Sequence, residues 1–179
     1  GQIMETQGKT KGLTPLEHYL AVIADKTGSL IAASARYGAM LSGADSKTTD
    51  SLTNFGEAMG LVFQLADDII DISSDSKESG KTPGTDLKEG VPTLVTLHVL
   101  ESTDPADREL KELLSAPIKD DAVVAQTLKT LRTHRALDQA REVIDKYAKQ
   151  TREHLANLPD CDAKSALISL SDSVVSRTS

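Results

Sequence analysis

Tryptophan is absent from this 179-residue chain, and only three Tyr and two Phe supply aromatic rings. So few flat side chains leave no platform on which the bases of a single-stranded nucleic acid could stack. Basic clusters are missing too. The formal net charge is −7, the wrong sign for a surface that must displace counterions from nucleic-acid phosphates, so no nucleic-acid partner is expected. The single cysteine, Cys161, excludes an internal disulfide and suits a reducing, cytoplasmic compartment. No run reaches the roughly 18 apolar residues of a membrane span, and no secretory leader is expected. Gly-x-Gly phosphate loops, Glu-x-x-His pairs and the alternating carboxylates of a calcium loop are lacking, which argues against nucleotide loops, diiron bundles and EF-hands. His18, His98, His134 and His154 are not spaced as paired ligands on one helix, so each reads as a surface or satisfied helical histidine. Cys161 has no histidine-based activation pattern beside it and reads as inert.

What remains is helical periodicity along nearly the whole chain, with no convincing alternating strand. Thr14-Pro15 with Glu17 forms a capping box that opens a helix running to about Leu41 and ending at Gly43. Ser46 or Thr48 starts the next, which carries Gly56 and Gly60 and ends at Asp71 to Ser73; glycine costs helix stability, so close helix approach explains the pair. Pro92 precedes a helix over about Thr93 to Glu101, and Pro105 begins one with Leu110, Leu113 and Leu114. Asp120 or Asp121 caps another with Val123, Val124, Leu128 and Leu131. Amphipathic helices over about Ala136 to Asn157 and Ala163 to Val175 complete an all-α, single-domain reading of residues 1–179.

Function is carried by residues 63–94. Asp67, Asp68 and Asp71 crowd the end of a helix whose residues 55–72 contain no base and are dominated by Phe55, Met59, Leu61, Val62, Phe63, Leu65, Ile69, Ile70 and Ile72. Carboxylates are expensive on an apolar helix unless a cation sits against them. At roughly 100° per residue, Asp67 and Asp71 lie about 40° apart, with Asp68 about 60° beyond Asp71, so all three lean over one edge. Gln64 lies one turn earlier on the same side. Hard oxygen donors select Mg²⁺, Mn²⁺ or Ca²⁺, and Mg²⁺ typically completes its shell with water and phosphate oxygens. Ser73 to Gly84 then reads as a polar loop from which Lys81 could reach a diphosphate. The bland alternative is a solvated helix end, against which the apolar, base-free flanks count.

The string Phe63 to Asp71, followed by Gly80-Lys81, Gly84, Asp86-Leu87 and Gly90 through Pro92-Thr93-Leu94, resembles the second aspartate-rich motif and following loop of the trans-isoprenyl diphosphate synthases, the polyprenyl synthetases. Upstream, Lys26-Thr27 resembles the family's lysine-threonine pair, and Gly1-Gln2 with Glu5 its Gly-Gln element. The resemblance runs in order over residues 1 to about 100 and implies an isoprenoid-synthase helical bundle. It further implies that Asp67, Asp68 and Asp71 hold Mg²⁺ (Mn²⁺ being possible) on an allylic diphosphate. Gln2, Lys26, Thr27, Gln64 and Lys81 would contact that diphosphate or shape its pocket, with Lys26, the Thr27 carbonyl and Gln64 beside a developing allylic cation. The implied reaction is condensation of isopentenyl diphosphate with the allylic diphosphate, and the implied assembly is a homodimer.

The family's first aspartate-rich motif and its paired basic residues are not found. Asp120-Asp121 has Val124 where a third carboxylate is needed, and it falls downstream, in the wrong order. The chain therefore reads as the C-terminal half of a polyprenyl synthetase domain, a piece of a longer protein or one component of a split enzyme, inactive alone. The rival readings are a non-catalytic subunit of a heteromeric prenyl synthase, a class I terpene cyclase, whose Asn/Ser/Glu metal triad is not seen here, and a purely structural helical protein.

Overall fold

The computed structural model describes residues 1–8, 11–73 and 82–178, and the regular structure among them is entirely helical, as the periodicity predicts. Packing divides the chain into two compact units, Gly1–Ala66 with Val143–Arg177, and Asp67–Glu142 with Thr178.

The first unit opens with α1 (Gln2–Gln7) and α2 (Pro15–Ile23). The predicted capping box holds α2: the Glu17 amide donates to the Thr14 hydroxyl at 3.2 Å and the Thr14 amide to the Glu17 carboxylate at 2.8 Å. The expected single helix to Leu41 is instead two. A π-helical turn, Ala24–Gly28, separates α2 from α3 (Ser29–Leu41), with the Ser29 amide bonded to the Ala24 carbonyl five residues back. Apolar periodicity runs through this stretch in either spacing, so nothing in the pattern marks the extra residue. Helix α4 (Ser46–Ser73) contributes its length to Ala66 here. It starts at Ser46, one of the two expected positions, and Asp45 caps it: Asp45 Oδ1 accepts from the Thr48 amide at 2.7 Å, and that bond lowers the pKa of its carboxyl.

Gly56 and Gly60 do serve close approach. A Cβ on Gly56 would lie 2.8 Å from Ala32 Cα, and one on Gly60 2.5 Å from Gly28 Cα, so α4 lies against the π turn and α3 backbone to backbone. Tyr19, Val22 and Ile23 of α2 and Phe55, Met59, Val62 and Leu65 of α4 are buried, as are Ile144 and Leu155 in α9 (Arg135–Leu155) and Val174 in α10 (Asp162–Ser176). Phe63, counted with the apolar residues of α4, is instead 40% exposed. Apolar side chains also stand open, Leu30, Tyr37 and Leu41 of α3 among them.

The second unit takes the last turns of α4, then α5 (Thr85–Glu89), α6 (Leu94–Glu101), a 3₁₀ turn at Pro105–Asp107, α7 (Arg108–Leu114), α8 (Asp121–Leu131) and the start of α9. Thr93 caps α6 reciprocally with Thr96, and Asp120 caps α8 through the Ala122 and Val123 amides at 2.8 and 3.0 Å. The helix expected from Pro105 starts only at Arg108 and buries none of its residues; Leu113 is exposed. Asp104 and Asp107, in a Pro-containing loop, form a structural knot: Asp107 accepts from His134 Nε2 at 3.0 Å and Arg135 Nη2 at 2.7 Å as well as from the Ser102 hydroxyl, and Asp104 pairs with Arg135 at 2.9 Å. His134 Nδ1 accepts from the Ala136 amide at 3.1 Å, so this histidine is satisfied at both nitrogens. His98 departs from the expectation: its Nε2 is buried without a hydrogen-bond partner, and burial lowers its pKa.

Candidate functional site

The first unit presents Lys26 and Thr27 on the π turn. That wide turn adds a residue to the helical circuit and re-aims side chains, a geometry common at functional sites. Two glycines let backbone reach it. On one side Gly60 lies against Gly28; on the other, a Cβ on Gly1 would fall within 2.4–2.5 Å of the N, Cα and Cβ of Lys26, so α1 begins directly on the turn. The Thr27 hydroxyl donates to Gln64 Oε1 at 3.2 Å. Lys26 Nζ lies 3.0 Å from each carboxylate oxygen of Glu5. Gln2 opens α1 and is exposed.

The second unit holds the acidic end of α4. Asp68 is buried, while Asp67 and Asp71 are intermediate. Asp71 also holds α5 in place. Its carbonyl accepts from the Gly84 amide at 3.1 Å, and its carboxylate lies 3.3 and 3.4 Å from the Thr85 and Asp86 amides. Burial raises its pKa, with those amides working against the rise. Gly84 makes the entry to α5 possible: φ is 80°, and a Cβ there would meet Val124 Cγ1 at 2.6 Å. Helix α5 brings in a fourth carboxyl, Asp86, which is pushed up to about 7 by burial and then by repulsion from Asp68, Asp71 and Asp67.

This set fits a hard divalent cation. All donors are carboxylate oxygens, and the repulsion that raises Asp86 is what a cation would relieve. Among the described residues no three His, Cys, Asp or Glu side chains are already grouped as a cage. The Asp71 carboxylate faces the Thr85 and Asp86 amides. A cation that takes one or two protein carboxylates and fills its shell with water and phosphate oxygens needs no such cage. Lys81 lies outside the described residues.

Sequence reasoning placed Asp86 and Glu5 within motifs but gave neither a role. Asp86 lies 15 positions from Asp71, beyond any helical period. Glu5 reaches Lys26 across 21 positions. Only the chain's three-dimensional path joins these pairs.

The polyprenyl synthetase family model matches residues 1–131. The chain belongs to the polyprenyl synthetase family. It is 46% identical to the nonaprenyl diphosphate synthase of Mycobacterium tuberculosis over 177 residues, 99% of this chain and 53% of that protein. It is 41% identical to the dimethylallyltranstransferase of the same organism over 176 residues, again 53% of that protein. Among solved structures it is similar to the geranylgeranyl pyrophosphate synthase of Corynebacterium glutamicum complexed with calcium and isoprenyl diphosphate. There the TM-score is 0.89 at 40% identity, covering 99% of this chain and 55% of that one. This polyprenyl synthetase chain thus spans about half the length of the relatives it matches. Among its described residues no helix is long and apolar enough to cross a membrane.

Proposed function

We propose that the protein to which this chain belongs is a divalent-metal-dependent trans-prenyltransferase. It condenses isopentenyl diphosphate with an allylic diphosphate, and this chain is the C-terminal part of its helical domain, supplying the allylic-diphosphate side of the site. The carrying observation is the concentration of four carboxyls, Asp67, Asp68, Asp71 and Asp86, at the end of an apolar helix and the start of α5, where burial and then repulsion make negative charge costly unless a cation offsets it. Support comes from the relatives, a nonaprenyl diphosphate synthase and a dimethylallyltranstransferase, and from a similar structure that holds calcium with isoprenyl diphosphate.

In this reading Mg²⁺ supplies Lewis-acid stabilisation to the departing diphosphate. Asp67 and Asp68 are its carboxylate donors. Asp71 acts through the α5 amides it fixes, and Asp86 completes the negative field around the ion. Lys26 and Lys81 offset charge on the leaving group, which carries about three negative charges as the allylic C–O bond breaks and both electrons go to oxygen. By the family resemblance, the Thr27 carbonyl and Gln64, the latter oriented by the Thr27 hydroxyl, stabilise the positive charge that develops on the allylic carbon. The double bond of isopentenyl diphosphate then forms the new C–C bond, and loss of one proton restores neutrality.

The test is a prenyl-transfer assay on the protein as its gene encodes it, with Mg²⁺, isopentenyl diphosphate and a series of allylic diphosphates, read by mass spectrometry. Elongated diphosphates are expected. Asp67→Ala and Asp68→Ala should each lower turnover at least about a hundredfold, as loss of an electrostatic stabiliser commonly does. No elongated product from any of the series refutes the proposal. Residues 1–179 assayed alone should show no turnover.

A further inference from the structure

We infer that Glu5 is the positioning residue for Lys26, holding its ammonium where an incoming diphosphate needs it. This inference rests on the function proposed above. Both Glu5 oxygens lie 3.0 Å from Lys26 Nζ, although the lysine side chain is 41% exposed and the glutamate 27%. An ion pair this open to water contributes little to folding stability, so stability is a poor reason for it.

The backbone is built to make the pair. Gly1 rests on Lys26 so closely that any side chain there would overlap the lysine main chain. The Glu5 amide bonds to the Gly1 carbonyl at 3.0 Å, forming the first turn of α1. One helical turn thus carries the contact at the Lys26 backbone up to a carboxylate over its side-chain tip. The neighbouring Thr27 is treated alike, its hydroxyl tied to Gln64 while Gly60 touches Gly28. Each side chain of the pair therefore has its own tether, from α1 for Lys26 and from α4 for Thr27.

A lysine needs such a tether more than most residues, because its four-carbon stem is free to sample many rotamers. An ammonium has three donors; both Glu5 oxygens sit on one side of it, which leaves donor capacity for a phosphate oxygen. Ordering the side chain before the ligand arrives removes an entropic cost from binding.

The experiment measures binding of inorganic pyrophosphate with Mg²⁺ to the full-length protein by calorimetry, for wild type, Glu5→Gln, Glu5→Asp, Lys26→Met and the Glu5→Gln/Lys26→Met double variant. Glu5→Gln should weaken binding between about two- and tenfold, the cost of immobilising one rotamer-rich side chain, with an unchanged melting temperature. Glu5→Asp should recover part of the loss. In the Lys26→Met background Glu5→Gln should change nothing, since Glu5 acts through Lys26. The inference is overturned if Glu5→Gln binds pyrophosphate as well as or better than wild type, or if it still weakens binding once Lys26 is gone. A wild-type protein that takes up no pyrophosphate instead overturns the functional reading beneath it.

Discussion

Replacing Gly60 with alanine tests whether backbone contact fixes the π turn. The new methyl would sit 2.5 Å from Gly28 Cα, 2.9 Å from Gly28 N and 3.3 Å from Thr27 C. All three are main-chain atoms that cannot rotate aside. Ordinary carbon contacts lie at about 3.5–4.0 Å, so α4 and the turn must separate by about 1 Å. Overpacking of this kind costs about 1–3 kcal/mol, against a gain of about 1 kcal/mol from alanine's better helix propensity. Gly38 in α3 supplies the control, since a Cβ there meets nothing within 4 Å. Gly38→Ala should therefore keep the propensity gain of about 1 kcal/mol without a steric cost. The difference between the two variants isolates the contact and should be about 1–3 kcal/mol, read by urea unfolding followed by circular dichroism. Two variants of equal stability, within about 0.5 kcal/mol, would refute backbone contact as the reason for Gly60.

Gly84→Ala should be destabilising on two counts, about 1–2 kcal/mol for the left-handed backbone and a further 1–3 or so for collision with Val124; a melting temperature equal to wild type would contradict this. Asp86→Asn should raise the melting temperature in EDTA by removing a partly buried carboxyl repelled by four others, Asp68, Asp71, Asp67 and Glu89, and should weaken the further stabilisation produced by Mg²⁺; an unchanged response to the metal argues against Asp86 belonging to the site. Asp104 is held below the usual carboxylate range by the Ala106 amide and Arg135, and Asp107 by Ser102 and then His134. Depressed folded-state values mean that this stabilisation is present above about pH 4 and lost as pH falls through them. Acid titration of unfolding should then show Arg135→Gln losing less stability than wild type below that point.

Much of the fold was legible because its signals are local. Thr14 with Glu17, Thr93 and Asp120 each cap a helix through residues two or three positions away, and α9 and α10 follow their apolar stripes to within about two residues, the ordinary spread of helix boundaries. The π turn was hidden because Val22, Ile23 and Leu30 read as apolar periodicity with or without an inserted residue. Phe63 misled because hydrophobicity reports a preference for burial, not a position on the helix circumference. At the candidate site, the acids of α4 stand out in the sequence by their apolar setting. Asp86 and Glu5 do not, because their partners lie 15 and 21 positions away. A short glycine-bracketed helix such as α5 leaves too few residues for any period to register.

The five-residue turn Ala24–Gly28 acts as slack wound into an otherwise regular spiral, taking up one surplus residue within a single circuit. Deleting one residue from it would heal the helix into a regular α spiral while Tyr19, Val22 and Ile23 keep facing the interior; the loss would fall on the display of Lys26 and Thr27. A length change there spares the core and is felt at the outward side chains, whereas the same deletion in the middle of α2 would turn every residue before it by about 100°.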